Sequence, residues 1–179
     1  MRAPARLTTD RLKLRPVEVA DAQAIFDTYS NHEAATRFMP FVRQRELAES
    51  IAFAERCARC WQDGSAYPWA ITDIESGQFI GVIEIRLSPP KADFGYIIGE
   101  AFWGKGYTTE AARAVVDWAR TLPDIHRIWA TCHPDNHASA AVFQKAGLRF
   151  ETELPNWENR PQMGEVAGTS LMFSWLRTA

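Results

Sequence analysis

The segment Gly99–Glu110 contains the residues whose types and spacing point most directly to chemistry. It reads GEAFWGKGYTTE, follows an apolar strand-like stretch and leads into an amphipathic helix. Gly104 and Gly106 allow backbone amides to approach an anion closely, and the first turn of a helix offers free N–H groups and a positive dipole end. The pattern predicts a pyrophosphate-binding turn. A tight strand-to-helix turn without a ligand is the alternative.

Two nucleotide-binding motifs fail at this turn. The run GEAFWGK matches the beginning of a P-loop, but Gly106 stands where that motif needs Ser or Thr to hold magnesium. The dinucleotide fingerprint fails as well, because Thr109 occupies the position of its third glycine. A phosphate-binding NTPase is therefore a weakened alternative.

Two carboxylates are candidates for acid–base work. Glu84 alternates with Ile83 and Ile85 inside an apolar strand, where a carboxylate is costly unless it is used or paired. Arg86, two residues further along the same strand face, is the possible partner. Asp93, at the head of the next strand, is the rival candidate.

The cysteines and histidines form no recognisable metal or redox motif. Cys57 and Cys60 make one Cys-x-x-Cys pair without the second pair of a zinc site, and Cys132 stands apart from them. An odd number of cysteines favours reduced thiols in the cytoplasm. We therefore predict three ordinary thiols and no metal. Surface or helix-capping roles are expected for three histidines: His126, His133 and His137.

Apolar periodicity predicts the elements that must position these groups. In chain order they are a strand at 11–15, helices at 20–30 and 47–61, strands at 69–74, 79–87 and 93–99, a helix at 108–122, a strand at 127–133, a helix at 137–146, and strands at 149–153 and 169–176. Residues 155–163 are expected to form a long polar loop.

This element order indicates the fold class. It predicts a single domain over residues 1–179, of mixed α/β (α+β) type, with a mostly antiparallel sheet of about seven strands flanked by helices. The strands at 93–99 and 127–133 flank one helix, so we expect them to be parallel neighbours joined by a right-handed crossover.

Composition limits the possible partners. The 179 residues include 20 Lys+Arg and 22 Asp+Glu, a net charge of −2 without the basic excess of a dedicated nucleic-acid binder. Arg11, Lys13 and Arg15 alternate with leucines, which is typical of the solvated face of a strand. No stretch approaches the roughly 18 apolar residues of a membrane span, and the N-terminus lacks the apolar core of a secretory signal. We expect a cytoplasmic protein with neither a membrane nor a nucleic-acid partner.

Together, the motifs resemble those of the GNAT superfamily of acyl-CoA-dependent N-acetyltransferases, and within it the RimJ/RimL-type ribosomal-protein N-terminal acetyltransferases. The resemblance rests on TDRLKLRP at 9–16, IGVI at 80–83, GYIIG at 95–99, WGKGYTTEA at 103–111, the pair Asn136 and Ser139, and KAGLRF at 145–150. These segments extend over nearly the whole chain. Ala101 replaces the Gln or Arg of the general superfamily turn, a departure that the Trp-Gly-Lys-Gly form of this subgroup shares.

The resemblance implies a site for acetyl-CoA as cosubstrate, without a metal. In this fold the two parallel strands splay apart, and the pantetheine arm bonds to the open edge near Ile97 and Ile98 as an added strand would. The resemblance gives Asn136 a role in holding the CoA arm, with capping of the following helix as the alternative. The pyrophosphate is expected on the backbone amides of Gly104, Lys105, Gly106, Tyr107 and Thr108.

Acetyl transfer requires that the amine lose a proton, that the oxyanion be stabilised and that the thiolate leave. By resemblance, a backbone N–H near Ile98 stabilises the oxyanion, and Ser139 hydrogen-bonds or protonates the leaving sulfur. Glu84 is the leading candidate for the general base, with Asp93 or a water-mediated path as alternatives. An N-terminal amine with a pKa of about 7.7–8.0 needs less help than a lysine near about 10.4.

The expected activity is therefore acetyl-CoA-dependent acetylation of a peptide or protein N-terminal amine, by direct attack in a ternary complex. A small-molecule amine, an amino acid or an antibiotic is the alternative acceptor, and a catalytically silent acyl-CoA-binding module is the alternative function. Residues 37–45 and 155–163 are expected to shape the acceptor site, with Phe38, Trp157 and Glu158 as contact candidates. Both a monomer and a homodimer fit the resemblance.

Overall fold

The central element is an eight-stranded sheet, seen in a computed structural model that describes residues 2–178. Its strands are β1 Leu7–Thr8, β2 Leu12–Pro16, β3 Tyr67–Asp73, β4 Phe79–Ser88, β5 Lys91–Ile98, β6 Arg127–Cys132, β7 Arg149–Arg160 and β8 Glu165–Leu176. Their order in the sheet is β1-β2-β3-β4-β5-β6-β8-β7. All neighbours are antiparallel except β5 and β6. The predicted mixed, mostly antiparallel class is confirmed. The sheet has eight strands rather than the predicted seven, and the additional strand, β1, is only two residues long, too short for periodicity to reveal it.

Five α-helices accompany the sheet. They are α1 Ala22–Ile25, α2 Glu33–Thr36, α3 Leu47–Asp63, α4 Tyr107–Arg120 and α5 His137–Lys145. The helix predicted at 20–30 is irregular: a 3₁₀ turn at Val19–Asp21 precedes α1, and a π-helical turn at Phe26–Ser30 follows it. None of the helices within residues 2–178 is both long and apolar enough to cross a bilayer.

Side-chain alternation along the strands gives the sheet two apolar faces. On one face, Trp69 and Ile83 belong to the larger core, to which α4 and α5 contribute. On the other, Ala70 and Val82 belong to a smaller core shared with α1 and α3. The buried stripe of α4 matches its predicted periodicity, with five side chains fully buried: Ala111, Ala112, Val115, Val116 and Ala119.

The parallel pair β5–β6 separates after its first three residues. The register runs from Lys91 opposite Arg127 to Asp93 opposite Trp129 and stops there. On its other side β5 stays paired with β4 as far as Ile98. Gly81 of β4 permits this contact, because a Cβ there would lie 2.2 Å from the Ile97 carbonyl oxygen. Residues 94–98 therefore border an opening in the sheet.

The prediction of a polar loop at 155–163 is wrong for most of these residues. β7 continues through this stretch to Arg160, and a short 3₁₀ turn at Pro161–Met163 joins it to β8. The register between β7 and β8 shifts three times, and Asn156 has a φ of 54°. These irregularities disrupt the period-two pattern that identifies a strand, and the exposed polar side chains of an edge strand hide it further.

Candidate active site

The predicted anion-binding turn has the backbone that such a site needs. Gly104 and Gly106 have φ values of 73° and 82°, a region that L side chains rarely adopt, and α4 begins at Tyr107. No side-chain hydrogen bond from the described residues caps the start of α4. The glycines and Lys105 are exposed, so free amides of the first helical turn face solvent. The turn therefore keeps the open backbone geometry that the predicted anion site requires.

Arg11 supports this turn from β2's end of the sheet, a role that the sequence did not reveal. Its guanidinium forms an ion pair with Glu110 of α4 and donates to the Lys105 carbonyl. Burial tends to raise the pKa of Glu110, but hydrogen bonds from Thr9 and Arg11 outweigh it and hold that pKa below 4.5. Arg11 is thus not a merely solvated residue. Arg15 is also paired, with Asp21 at 2.6 Å.

A cavity of about 800 Å³ follows the opening between β5 and β6. It brings together residues from both halves of the chain, among them eight sequence candidates: Phe38, Glu84, Asp93, Ile97, Asn136, Ser139, Trp157 and Glu158. Ile98 and the turn at 104–108 do not line it. The Ile98 carbonyl, which the resemblance places at the pantetheine edge, accepts a hydrogen bond from the Trp103 indole at 3.3 Å.

Asn136 and Ser139 lie together at the start of α5. The Asn136 side-chain oxygen accepts from the Ser139 backbone N–H at 3.1 Å, so Asn136 caps the helix. Ser139 Oγ in turn accepts from the Tyr96 hydroxyl at 2.9 Å. Burial raises the pKa of Tyr96, so its phenol remains a hydrogen-bond donor at neutral pH. Tyr96 lines the cavity and was not predicted as a site residue, although it belongs to the GYIIG segment at 95–99 that carries the resemblance.

The two carboxylate candidates share one partner, Arg86. Its Nε donates to Asp93 Oδ2 at 2.8 Å, and its Nη2 contacts the same oxygen. Its Nη1 donates to Glu84 Oε1 at 3.1 Å. Glu84 Oε2 lies 3.9 Å from Arg56 Nη1, beyond hydrogen-bond distance. We call these four side chains the Arg86 cluster. The predicted pairing of Glu84 with Arg86 is present, and one Glu84 oxygen remains without a short contact to a cation.

Aromatic side chains also line the cavity. Phe38 stacks on His133 with 5.3 Å between ring centroids, and Trp157 packs edge-on against Trp129. All four residues line the cavity. The expected involvement of 37–45 and 155–163 in shaping this region therefore agrees with where the cavity lies.

His133 is buried, contrary to the surface role expected for it. Its Nδ1 accepts from the Asp135 backbone N–H at 3.0 Å, and its Nε2 lies 3.1 Å from Glu165 Oε1. With Nδ1 occupied as an acceptor, neutral His133 donates from Nε2 to Glu165. Both ring nitrogens are thus engaged within the fold. His126 and His137 are exposed, as expected.

The thiols behave as ordinary buried or half-buried groups. All three cysteines are free, and burial raises the pKa of Cys57 to about 12 and that of Cys132 to about 11. A thiol with so high a pKa is a poor nucleophile at neutral pH. Among residues 2–178, no cluster of three or more His, Cys, Asp or Glu side chains is arranged to hold a metal ion.

Comparison with known proteins places this geometry in a family. The pattern described as "Acetyltransferase (GNAT) domain" matches residues 11–149. This chain belongs to the GNAT acetyltransferases. The match includes the turn at residues 104–108, which we call the glycine turn, together with the splayed strands β5 and β6 and the start of α5. It confirms the expected enzyme class and acetyl-CoA as its cosubstrate.

Individual relatives agree with the family. The uncharacterized N-acetyltransferase YoaA of Bacillus subtilis is 30% identical over 151 residues, which are 83% of this chain and 85% of that protein. The [ribosomal protein uS5]-alanine N-acetyltransferase of Escherichia coli is 30% identical over 153 residues, 82% of this chain and 79% of that protein. The crystal structure of the microcin C7 self-immunity acetyltransferase MccE, in complex with acetyl-CoA and AMP, superposes with a TM-score of 0.86 at 20% identity, covering 98% of each chain. This GNAT protein shares its fold with that structure.

Proposed function

We propose that this GNAT acetyltransferase transfers the acetyl group of acetyl-CoA to the α-amine of a peptide or protein N-terminus. The observation that carries the proposal is the single cavity that joins Glu84 of β4 to Ser139 of α5 across the splayed strands. The similarity to the E. coli enzyme that acetylates ribosomal protein uS5 supports an N-terminal acceptor. An α-amine also suits a site in which arginine pairs with both carboxylate candidates, because its pKa is only about 7.7–8.0 and it needs little help from a base.

In the proposed complex, the pyrophosphate binds the amides of residues 104–108, and the pantetheine arm follows the open edge of β5 near Ile97 and Ile98. Asn136 lies beside that edge and holds the arm while it caps α5. The acetyl carbonyl oxygen then meets a backbone N–H near Ile98. This placement directs the thioester towards the cavity, where both proton-transfer candidates are found.

Proton transfer involves two separate groups in this proposal. Glu84 accepts the amine proton through Oε2, which lies 3.9 Å from Arg56 Nη1, and Asp93, bound by Arg86 through Oδ2, is the alternative base. Ser139 donates to the departing thiolate. Because the Tyr96 hydroxyl donates to Ser139 Oγ, the serine's own hydrogen is left for another acceptor. The amine attacks the thioester directly, without an acyl-enzyme step.

The acceptor enters past the aromatic side chains that line the cavity. Phe38 and Trp157 supply apolar contact for a peptide's first side chains, and Glu158 supplies a negative charge near the incoming amine. We place the reaction in the cytoplasm, in agreement with three free cysteines. The structure is of one chain, and both a monomer and a homodimer remain predictions.

Mass spectrometry of a panel of N-terminal peptides and small amines, incubated with acetyl-CoA, tests the proposed reaction. We expect a mass gain of one acetyl group on peptide α-amines and not on lysine side chains. Acetylation confined to polyamines, amino acids or antibiotics would contradict the acceptor class. CoA binding without turnover on any amine would support a silent acyl-CoA-binding module instead.

Replacing Glu84 with Gln tests the proposed base. We expect kcat to fall by about 100-fold near neutral pH, the loss typical of a missing general base, while the Kd for acetyl-CoA stays unchanged. Glu55→Gln is the matched control, since Glu55 makes only an exposed ion pair with Arg59 within α3. Unchanged kcat for Glu84→Gln across the whole pH range would sink the assignment.

A further inference from the structure

Hydrogen bonds and an ion pair connect the residues just before β2 to α4 and the glycine turn. Glu110 accepts hydrogen bonds from the Thr9 hydroxyl at 2.6 Å and from the Arg11 backbone N–H at 2.9 Å. The Arg11 guanidinium contacts its other oxygen through Nε at 2.8 Å and Nη2 at 2.7 Å. Both carboxylate oxygens are thus used to hold one arginine in place.

The remaining guanidinium nitrogen reaches the turn itself. Arg11 Nη1 donates to the Lys105 carbonyl oxygen at 3.1 Å. Arg11 also lies over the Tyr107 ring, 4.6 Å from its centroid, so it contacts the turn and the first residue of α4 together. A single side chain from the N-terminal part of the sheet therefore fixes the peptide between Lys105 and Gly106.

Fixing that carbonyl also fixes the amide next to it. In a planar trans peptide the C=O of Lys105 and the N–H of Gly106 point in opposite directions. With its carbonyl held by Arg11, this peptide presents the Gly106 N–H on the side away from Arg11. Glycine residues on both sides of Lys105 leave the peptide otherwise free to rotate.

We propose that Arg11 is a positioning residue of the acetyl-CoA site: held by Glu110, its guanidinium orients the Lys105–Gly106 peptide so that the Gly106 N–H faces the cosubstrate's pyrophosphate. This inference rests on the proposed location of acetyl-CoA. It assigns the affinity for the pyrophosphate to two residues that do not touch it. The neighbouring peptides keep their amides, so removal of Arg11 weakens binding without abolishing it.

The test compares ligands with and without a pyrophosphate. In Arg11→Gln and Glu110→Gln we expect the Kd for CoA, measured by calorimetry on the full chain, to rise about tenfold, as for the loss of one charge-assisted contact. The Kd for pantetheine, measured by NMR titration, should stay within twofold. The double variant should bind CoA no more weakly than either single one, because the two residues act as a unit.

Two further variants separate positioning from charge and from general stability. Arg11→Lys keeps the positive charge but loses the fork that spans Glu110 and the carbonyl, so it should bind CoA as weakly as Arg11→Gln. Arg113→Gln is the control, because Arg113 lies on the same helix and donates to the remote Lys145 carbonyl. Its CoA affinity should match the wild type, and thermal melts verify that all variants fold.

Three results would overturn the inference: unchanged CoA affinity in Arg11→Gln, equal losses for CoA and pantetheine, or full rescue by Arg11→Lys. A wild-type chain that binds no CoA would overturn both this inference and the proposed function. If the wild type binds CoA about tenfold more tightly than Arg11→Gln but acetylates no amine, the positioning role stands and the proposed function fails.

Discussion

The glycine turn and the Arg86 cluster handle charge in different ways. At the turn, backbone amides and a helix terminus are available to an anion beside the exposed Lys105, and the nearby charged side chains Arg11 and Glu110 neutralise each other. In the Arg86 cluster, side chains from β4, β5 and α3 form ion pairs between two guanidiniums, those of Arg56 and Arg86, and two carboxylates, those of Glu84 and Asp93. The glycine turn offers backbone amides to a charged ligand, whereas the Arg86 cluster offers ionised side chains.

This difference indicates which substitutions the glycine turn and the Arg86 cluster should each tolerate. A backbone site depends on conformation, so it is sensitive to any residue that cannot adopt the required φ and insensitive to most others. A side-chain site depends on identity, so each replacement changes the charge balance at once. Under the proposed function, acetyl-CoA binding at the glycine turn should therefore respond to changes of backbone conformation, and turnover at the Arg86 cluster to changes of side-chain chemistry.

Gly106→Val should give the largest effect. A β-branched residue at a φ of 82° is strained, and its Cβ would lie 3.4 Å from Arg11 Nη2. We expect CoA affinity to fall by about 100-fold, since both the backbone and its support are displaced. Calorimetry measures the affinity, and thermal melting measures the accompanying loss of stability.

Gly77→Val is the matched control for that change. Gly77 lies in the β3–β4 turn with a φ of 70°, and a Cβ there meets nothing within 4 Å. It should lose comparable stability while retaining the wild-type Kd for CoA. If both variants lose CoA affinity equally, backbone strain alone accounts for the effect and the contrast between the glycine turn and the Arg86 cluster disappears.

Tyr96→Phe tests the hydrogen bond between β5 and Ser139 and should have a smaller effect than Gly106→Val. Removing the hydroxyl takes away the donor that orients Ser139 Oγ, so the serine's hydrogen is no longer directed at the thiolate, and we expect kcat to fall by about tenfold with the Kd for CoA within twofold. Ser139→Ala is the companion variant. The double variant should be no slower than Ser139→Ala, and an additive loss would contradict a shared role.

The loss of stability in Glu110→Gln should be the smallest of these effects, and it should depend on pH. The folded-state pKa of Glu110 is held below 4.5, so its ionised form contributes stability that is fully present above pH 4.5 and lost as the pH falls through the lowered pKa. We expect wild type to exceed the variant by about 1 kcal/mol in free energy of unfolding at pH 7. Urea titrations from pH 7 to pH 3 measure this, and a difference that is constant throughout would contradict it.

The same contrast explains what the sequence could predict. The backbone of the turn at Gly104 and Gly106 and the start of α4 could be predicted, because these residues are consecutive and their conformational needs are local. The helices α3 and α4 and the hairpin β3–β4 also follow from local periodicity. The parallel pair β5–β6 followed from a single crossover rule.

Long-range contacts were beyond the reach of such reasoning. Arg11 meets Glu110 across 99 positions and Tyr96 meets Ser139 across 43, and no local pattern marks either pair. Arg86 was identified as a partner for Glu84 because the two share a strand face, whereas its cross-strand contact with Asp93 depends on the register of β4 and β5. The extension of β7 was missed because its bulges interrupt the alternation that strands normally show.

The edge position of β7 has a consequence for how this enzyme can diversify. Trp157 and Glu158 lie on the outermost strand, whose only sheet neighbour is β8, and most of β7 is exposed. Under the proposed function, substitutions at these two positions change acceptor contacts without touching the glycine turn. Amine recognition can then change in small steps while the residues proposed to hold acetyl-CoA stay the same.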